Sequence, residues 1–313
     1  MLQTLKVALL RRYYRFTNRR AWHASDVHGE PGALQLPTAR GPINAHLYEG
    51  GEAAQRPLLV YFHGGGWVIG DLQTHHAYCQ QLARASGCTL IAVDYRLAPE
   101  HHFPAAQDDC LAAARCLAER HDDFGPSNGG LVLAGDSAGG HLAICTALEA
   151  DGALREQLCG ALLTYPVVDH YSRPYDSYRE CARGQALTAD LMRWFWDSYL
   201  GGVDPESHAA QRAFPIRSEM LERMPPTLLC TAGRDPLRDE GQAFAGALAA
   251  AGVAVRAEHY PEAEHGFACS LGPGRDFQAW LDCCAEWLAQ RRPQPQVGGG
   301  SAAAAGDTPQ AAM

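Results

Sequence analysis

Leu131-Val132-Leu133-Ala134-Gly135-Asp136-Ser137-Ala138-Gly139-Gly140-His141-Leu142-Ala143 decides the fold. A short apolar run, LVLAG, runs straight into the pattern G-x-S-x-G, and a helix-like segment, HLAICTALEA, follows without a spacer. A strand that turns this sharply into a helix forces the serine between them into a strained conformation and exposes its hydroxyl. The small residues on either side let strand and helix approach closely. A glycine-rich strand-to-helix turn with an incidental serine is the bland alternative, and the rest of the chain decides between the two.

Outward from this turn, apolar runs alternate with helical patterns. PLLVYFH (57–63), TLIAVDY (89–95), ALLTYPV (161–167), TLLCTA (227–232) and VAVRAEHY (253–260) read as strands, together with LVLAG (131–135). Most are nearly continuous in apolar residues, as strands covered on both faces are. HHAYCQQLARAS, AAQDDCLAAARCLAERH and GQAFAGALAAAG carry helical periodicity, and Gly252 ends the last of them as a C-cap. Alternation of this kind predicts an α/β protein with a mainly parallel sheet flanked by helices.

Residues 170–217 break the alternation. They hold no strand pattern but predict a helix starting near Thr188, TADLMRWFWDSYL, with Trp194, Phe195, Trp196 and Tyr199 in its body. An insertion after a strand's C-terminal end lies over the ligand-binding side of an open α/β sheet, so this segment reads as a cap. An extra packing helix is the competing reading. The last stretch, from about Pro293, is rich in Pro, Gly, Ala and Ser and is expected to be disordered.

Composition narrows the function classes. A 313-residue chain with 47% hydrophobic and 19% charged residues can bury a substantial core, and one large domain with a cap fits its length as well as two domains would. A net charge of -9 argues against general nucleic-acid binding. No apolar run reaches the roughly 18–20 residues that span a bilayer, so stable membrane insertion is not expected. At the N-terminus the apolar run precedes Arg11, Arg12, Arg15, Arg19 and Arg20, the reverse of a secretory signal. A soluble helix and a cytoplasmic location follow as expectations, with contact between this basic helix and anionic lipid left open.

The eleven cysteines are odd in number and include no C-x-x-C pair, which points to reduced, structural thiols and no thiolate metal site. Lys6 is the sole lysine, which removes S-x-x-K chemistry, a phosphate-binding G-x-x-x-x-G-K loop and a Schiff base. No metal or organic cofactor is expected.

His63-Gly64-Gly65-Gly66-Trp67, directly after PLLVYF, is the second informative loop. Acyl transfer passes through a tetrahedral oxyanion that needs preorganised N–H donors, and glycines let a backbone turn its amides inward. With the Ala138 N–H at the head of the following helix, this loop can supply them. Dinucleotide binding is disfavoured, because Ile69 stands where G-x-G-x-x-G needs its third glycine. His63 reads as a support for the loop rather than a proton carrier.

A serine nucleophile needs a base, and the base needs an orienting carboxylate. Asp235 follows TLLCTA, and His265 follows VAVRAEHY in the loop PEAEHGF, so both fall at the sheet edge that carries Ser137. Asp239 and Glu240 are rival acids on the next helix, and His259 is a rival base within a strand. The pairs His75–His76 and His101–His102 are poorly spaced for a shared metal and read as surface or supporting residues.

Taken in order, HGGGW, DYRLAPEHHFPAA (94–106), GDSAGG, DPLRDEG and HGF resemble the bacterial hormone-sensitive-lipase family of esterases, from about residue 25 to residue 290. The resemblance implies the α/β-hydrolase fold with a helical cap built from residues 1–25 and 170–217, and a catalytic domain over 26–292. It implies a catalytic triad of Ser137, Asp235 and His265, and an oxyanion hole of Gly65, Gly66 and Ala138 supported by His63 and Gly64. Arg96 and Glu100 become structural members of the turn after a strand. Where family members often carry Ser-Pro after the cap, this chain reads AFPIRSEML, which puts the packing of the cap in doubt.

The expected activity is hydrolysis of short- to medium-chain carboxylic esters, small-molecule substrates held under the aromatic cap by Trp67, Trp194 and Phe195. Each buried methylene contributes only about 0.8 kcal/mol, so chain-length preference is expected to be gradual. Long-chain lipase action is disfavoured because no extended exposed apolar surface is evident. A deacetylase or amidase with the same triad is the chemical alternative, and a non-catalytic receptor on this fold is the structural one. A homodimer through an exposed edge strand is an assembly open to such a sheet.

Overall fold

The computed structural model describes residues 2–22, 27, 29–125, 127–270 and 272–292; the tail from Pro293 lies outside them. Eight strands form one sheet in the order β1-β2-β4-β3-β5-β6-β7-β8. The first two, β1 (Gly32–Thr38) and β2 (Gly41–Tyr48), pair as an antiparallel hairpin that the apolar patterning does not reveal. Pro37 and Pro42 interrupt them and they bury only part of their side chains, so neither presents a continuous apolar run.

β3 (Leu58–Phe62), β4 (Leu90–Val93), β5 (Leu131–Asp136), β6 (Leu158–Thr164), β7 (Thr227–Arg234) and β8 (Val255–Glu264) run parallel, while β2 joins β4 antiparallel. The sheet is covered on both faces, and successive residues divide between two cores. Leu58, Val60 and Phe62 of β3 enter one, with Leu131 and Leu133 of β5. Leu59 and Tyr61 enter the other, with Val132 and Ala134. This two-sided burial is why the central strands read as unbroken apolar runs.

Helices α1 (Leu2–Ala21), α2 (His76–Ser86), α3 (Ala105–Glu119), α4 (Ala138–Leu148) and α5 (Gly152–Gln157) flank the sheet in its first half. After β6 come the short α6 (Asp176–Glu180) and α7 (Ala189–Leu200); α8 (Arg238–Ala250) and α9 (Arg275–Leu288) complete the chain. α2 and α9 cover one face, while α3, α4, α7 and α8 pack on the other. α7 begins where its cap predicts: the Thr188 side chain accepts the Leu191 N–H at 3.2 Å. α8 ends with Ala251 and then Gly252 at φ +82°.

β8 runs four residues past its predicted end, through Pro261 to Glu264. It is an outer strand, where a proline's missing N–H removes no ladder bond from a central neighbour. His265 therefore opens the turn that follows the strand, with Pro261 to Glu264 of the expected loop taken into β8. Arg96 pairs with Asp109 at 2.7 Å and Glu100 with Arg11 at 2.8 Å, tying the segment after β4 to α3 and α1.

Candidate active site

Ser137 occupies the single residue between β5 and α4, with φ +53° and ψ -119°. So tight a turn requires glycine at 139, because a Cβ there would collide with the Phe62 carbonyl of β3. The Ser137 N–H donates to the Thr164 carbonyl at 2.9 Å, fixing the turn to β6.

The ends of three strands converge here. Ser137 Oγ lies 2.9 Å from His265 Nε2, and His265 Nδ1 lies 2.7 Å from Asp235 Oδ2. The other Asp235 oxygen accepts the Leu237 N–H at 2.9 Å, and the carboxylate is fully buried. The Tyr165 ring, 4.5 Å from the imidazole by centroids, restricts its rotation. Ser137 is 6% exposed, so only a small opening reaches it.

The loop after β3 faces this serine. Gly65 and Gly66 adopt φ +118° and +57°, and a Cβ on Gly66 would strike the Phe195 ring. The Val68 and Ile69 amides both donate to the Gly65 carbonyl, folding the loop back on itself. His63 is buried and stacks on Tyr95 at 4.4 Å; its Nδ1–H donates to the Gly64 carbonyl at 2.8 Å. Burial, and then the neighbouring His75, pull its pKa down to about 4, so the ring is neutral at ordinary pH.

Beneath the loop lies a network that motif reading passes over. Asp136, the unspecified residue of G-x-S-x-G, is buried and accepts the Gly64 N–H at 2.8 Å and the Tyr61 hydroxyl at 2.5 Å. His75 Nε2 approaches the same oxygen at 3.4 Å, so His75 is an interior residue and not a surface one. Burial alone would raise the Asp136 pKa; the charge and hydrogen bond of His75, with the Tyr61 bond, outweigh it and hold the carboxyl below its usual range. A carboxylate at the end of an apolar strand must be paired, and that was the available signal. Among the described residues, His75, Asp136 and Cys269 bring three potential metal-ligand atoms within 4.8 Å of one another.

Glu240, a rival acid by sequence, sits on α8 and is fully buried away from His265. Its Oε1 accepts the Val168 N–H at 2.8 Å and the Asp169 N–H at 3.3 Å. Asp169 in turn holds the Arg217 Nε at 2.8 Å, so the two ends of the 170–217 segment are joined at their base. Burial raises the Glu240 pKa to about 8. Asp239 accepts the Ser177 N–H at 2.7 Å, and His259 Nδ1 meets the Thr231 hydroxyl at 2.9 Å within the sheet.

The expected substrate contact at Trp67 does not hold. Its ring is fully buried, stacked on Tyr199 at 4.4 Å and beside Trp196 at 4.5 Å, with its N–H given to His141 Nδ1 at 3.1 Å. The indole is the post on which α7 rests. Phe195 is 4% exposed and presses on Gly66, while Trp194 is half-buried under the Lys6 ammonium, 5.8 Å from its ring centre.

A family model described as alpha/beta hydrolase fold matches residues 59–269, the span from β3 to just past His265. The chain belongs to the α/β-hydrolase fold family. This α/β hydrolase is 39% identical over 249 residues to a carboxylic ester hydrolase, LipN, of Mycobacterium tuberculosis, covering 77% of this chain and 65% of that one. It is 38% identical over 211 residues to an ethyl acetate hydrolase of Pseudomonas putida, covering 67% of this chain and 65% of that one. The chain thus spans about two-thirds of the length of each relative. Among solved structures, an esterase of Pyrobaculum calidifontis superposes with a TM-score of 0.81 at 35% identity, covering 90% of this chain and 92% of the other. No helix among the described residues is long and apolar enough to cross a membrane.

Proposed function

We propose that this α/β hydrolase is a serine carboxylic-ester hydrolase acting on short- to medium-chain acyl esters, with Ser137, His265 and Asp235 as its triad. The carrying observation is the unbroken relay from Ser137 Oγ through His265 to Asp235, at 2.9 and 2.7 Å. Relatives named as ester hydrolases, one of them for ethyl acetate, support the choice of substrate class.

His265 Nε2 takes the Ser137 proton as Oγ bonds to the ester carbonyl carbon. The carbonyl oxygen becomes an oxyanion held by the N–H groups of Gly65, Gly66 and Ala138. The carbon–oxygen bond to the alcohol then breaks, and His265 gives that alcohol its proton. Water repeats the sequence on the acyl-enzyme: His265 takes its proton, hydroxide oxygen joins the acyl carbon, and Ser137 leaves with the proton restored. Asp235 accepts the Nδ1–H throughout, which fixes the tautomer and stabilises the imidazolium. α1 and residues 170–217 form the cap over this site, with Trp194 and Phe195 on its inner side; residues 23–25 of the expected cap segment lie outside the described residues.

Hydrolysis of p-nitrophenyl acetate, butyrate, octanoate and palmitate by the wild type and Ser137→Ala tests the reading. Turnover of the shorter esters that vanishes in the variant is expected. Equal inactivity of both proteins on all four overturns it and directs attention to amides.

A further inference from the structure

α1 is apolar on two sides. Val7 and Asn18 are buried, and Leu10 and Tyr14 pack with Val7 against the main core. On the far side Leu5, Leu9, Tyr13 and Phe16 are 62%, 60%, 65% and 57% exposed. At 3.6 residues per turn these four fall within an arc of roughly 80°, so they form one stripe. Of the five exposed large apolar side chains among the described residues, four belong to this stripe. The extended apolar surface that the sequence did not reveal is therefore present, concentrated on one helix.

The charge on the helix is all of one sign. α1 holds Lys6, Arg11, Arg12, Arg15, Arg19 and Arg20 and no acidic residue, in a chain whose net charge is -9. Arg11 is committed to Glu100 and to the Val68 and Ala98 carbonyls, and Arg15 to Asp71. Among the described residues Lys6, Arg12, Arg19 and Arg20 form no ion pair, and Arg20 lies over the Phe16 ring. An apolar stripe bordered by unpaired cations fits a surface with an apolar interior and anionic headgroups. A charge-screening distance of about 8 Å at physiological salt keeps the acidic remainder of the molecule from cancelling this local field.

We propose that the outward face of α1 docks onto an anionic lipid surface, with the helix lying in the interfacial plane. Lys6 stands over Trp194 of α7, so docking brings the proposed cap beside the lipid, where amphiphilic esters collect. The inner face of α1 stays packed, and nothing crosses the bilayer.

Co-sedimentation with vesicles of phosphatidylcholine alone, and of phosphatidylcholine with phosphatidylglycerol, tests this without any substrate, so its outcome is independent of the ester-hydrolase reading. Binding to the anionic vesicles at low salt is expected, weakening as salt rises. Arg12→Gln, Arg19→Gln and Arg20→Gln should each weaken it about fivefold. Leu9→Glu with Phe16→Glu should abolish it at unchanged thermal melting, since both positions are exposed. Absence of binding to anionic vesicles at low salt overturns the proposal. So does binding that is equal on neutral vesicles and indifferent to the arginine changes. A third overturning result is a dimer by light scattering that Leu9→Glu/Phe16→Glu dissolves while the wild type ignores lipid.

Discussion

Asp136 reaches from the end of β5 to accept the Gly64 N–H at 2.8 Å, so the residue before the proposed nucleophile holds the loop that faces it. Asp136→Ala strands two buried donors, the Gly64 amide and the Tyr61 hydroxyl, at about 1–3 kcal/mol each. The expected result is a loss of roughly 2–6 kcal/mol in urea denaturation, by the same reasoning. A fall in kcat for p-nitrophenyl butyrate larger than any change in KM should accompany it, because the loosened loop acts on the oxyanion.

Gly66 has little room. A methyl group there meets the Phe195 ring, so Gly66→Ala must move either the ring or the loop. Displacing an oxyanion donor costs on the order of 10²–10³ in kcat. Gly66→Ala with Phe195→Ala should recover part of that loss, because the added methyl group then has space. Steady-state kinetics on the single and double variants separate a steric cause from a purely conformational one.

Glu240 gives stability a pH dependence of defined sign. Its folded pKa, raised by burial from 4.5 to about 8, means the folded protein keeps a proton that the unfolded chain releases. Stability from this group is therefore greatest at low pH and declines as pH rises from about 4.5 to about 8, by at most about 1.4 kcal/mol per unit. Glu240→Gln should match the wild type near pH 5 and exceed it near pH 8. Denaturant midpoints across that range measure the difference; parallel curves would contradict the assignment.

Trp67→Phe distinguishes a post from a substrate contact. The variant keeps a ring against Tyr199 but removes the N–H that His141 Nδ1 accepts. Burial already holds the His141 pKa down at about 4, so the ring cannot charge to compensate. A stability loss of about 1–3 kcal/mol is expected, with little change in preference among acyl chain lengths. Melting curves and the chain-length series supply the two readings.

The central strands were legible because both faces of β3 to β7 are buried, which writes itself as continuous apolar sequence. β1 and β2 were not, since prolines and one-sided burial erase that mark. Ser137, Asp235 and His265 could be picked out because each follows a strand end, and the structure brings them within hydrogen-bonding distance. The supports could not. Asp136 looks like a filler between two motif glycines, and Glu240 looks like a helix-surface acid until α8 is packed. Trp67 misled for a related reason: an aromatic residue beside a glycine loop looks the same in sequence whether it faces a pocket or a core.

All eleven cysteines are unpaired and buried, and burial drives the thiols of Cys79, Cys110, Cys230, Cys269 and Cys284 far above their ordinary range. Folding thus conceals every thiol from oxidant and electrophile. Any excursion that opens the chain releases them together, and once oxidised or cross-linked they cannot fit back into the cavities they left. Heat inactivation should consequently be recoverable under reductant and permanent in air, with endurance governed by how often the chain opens rather than by how stable it is at rest.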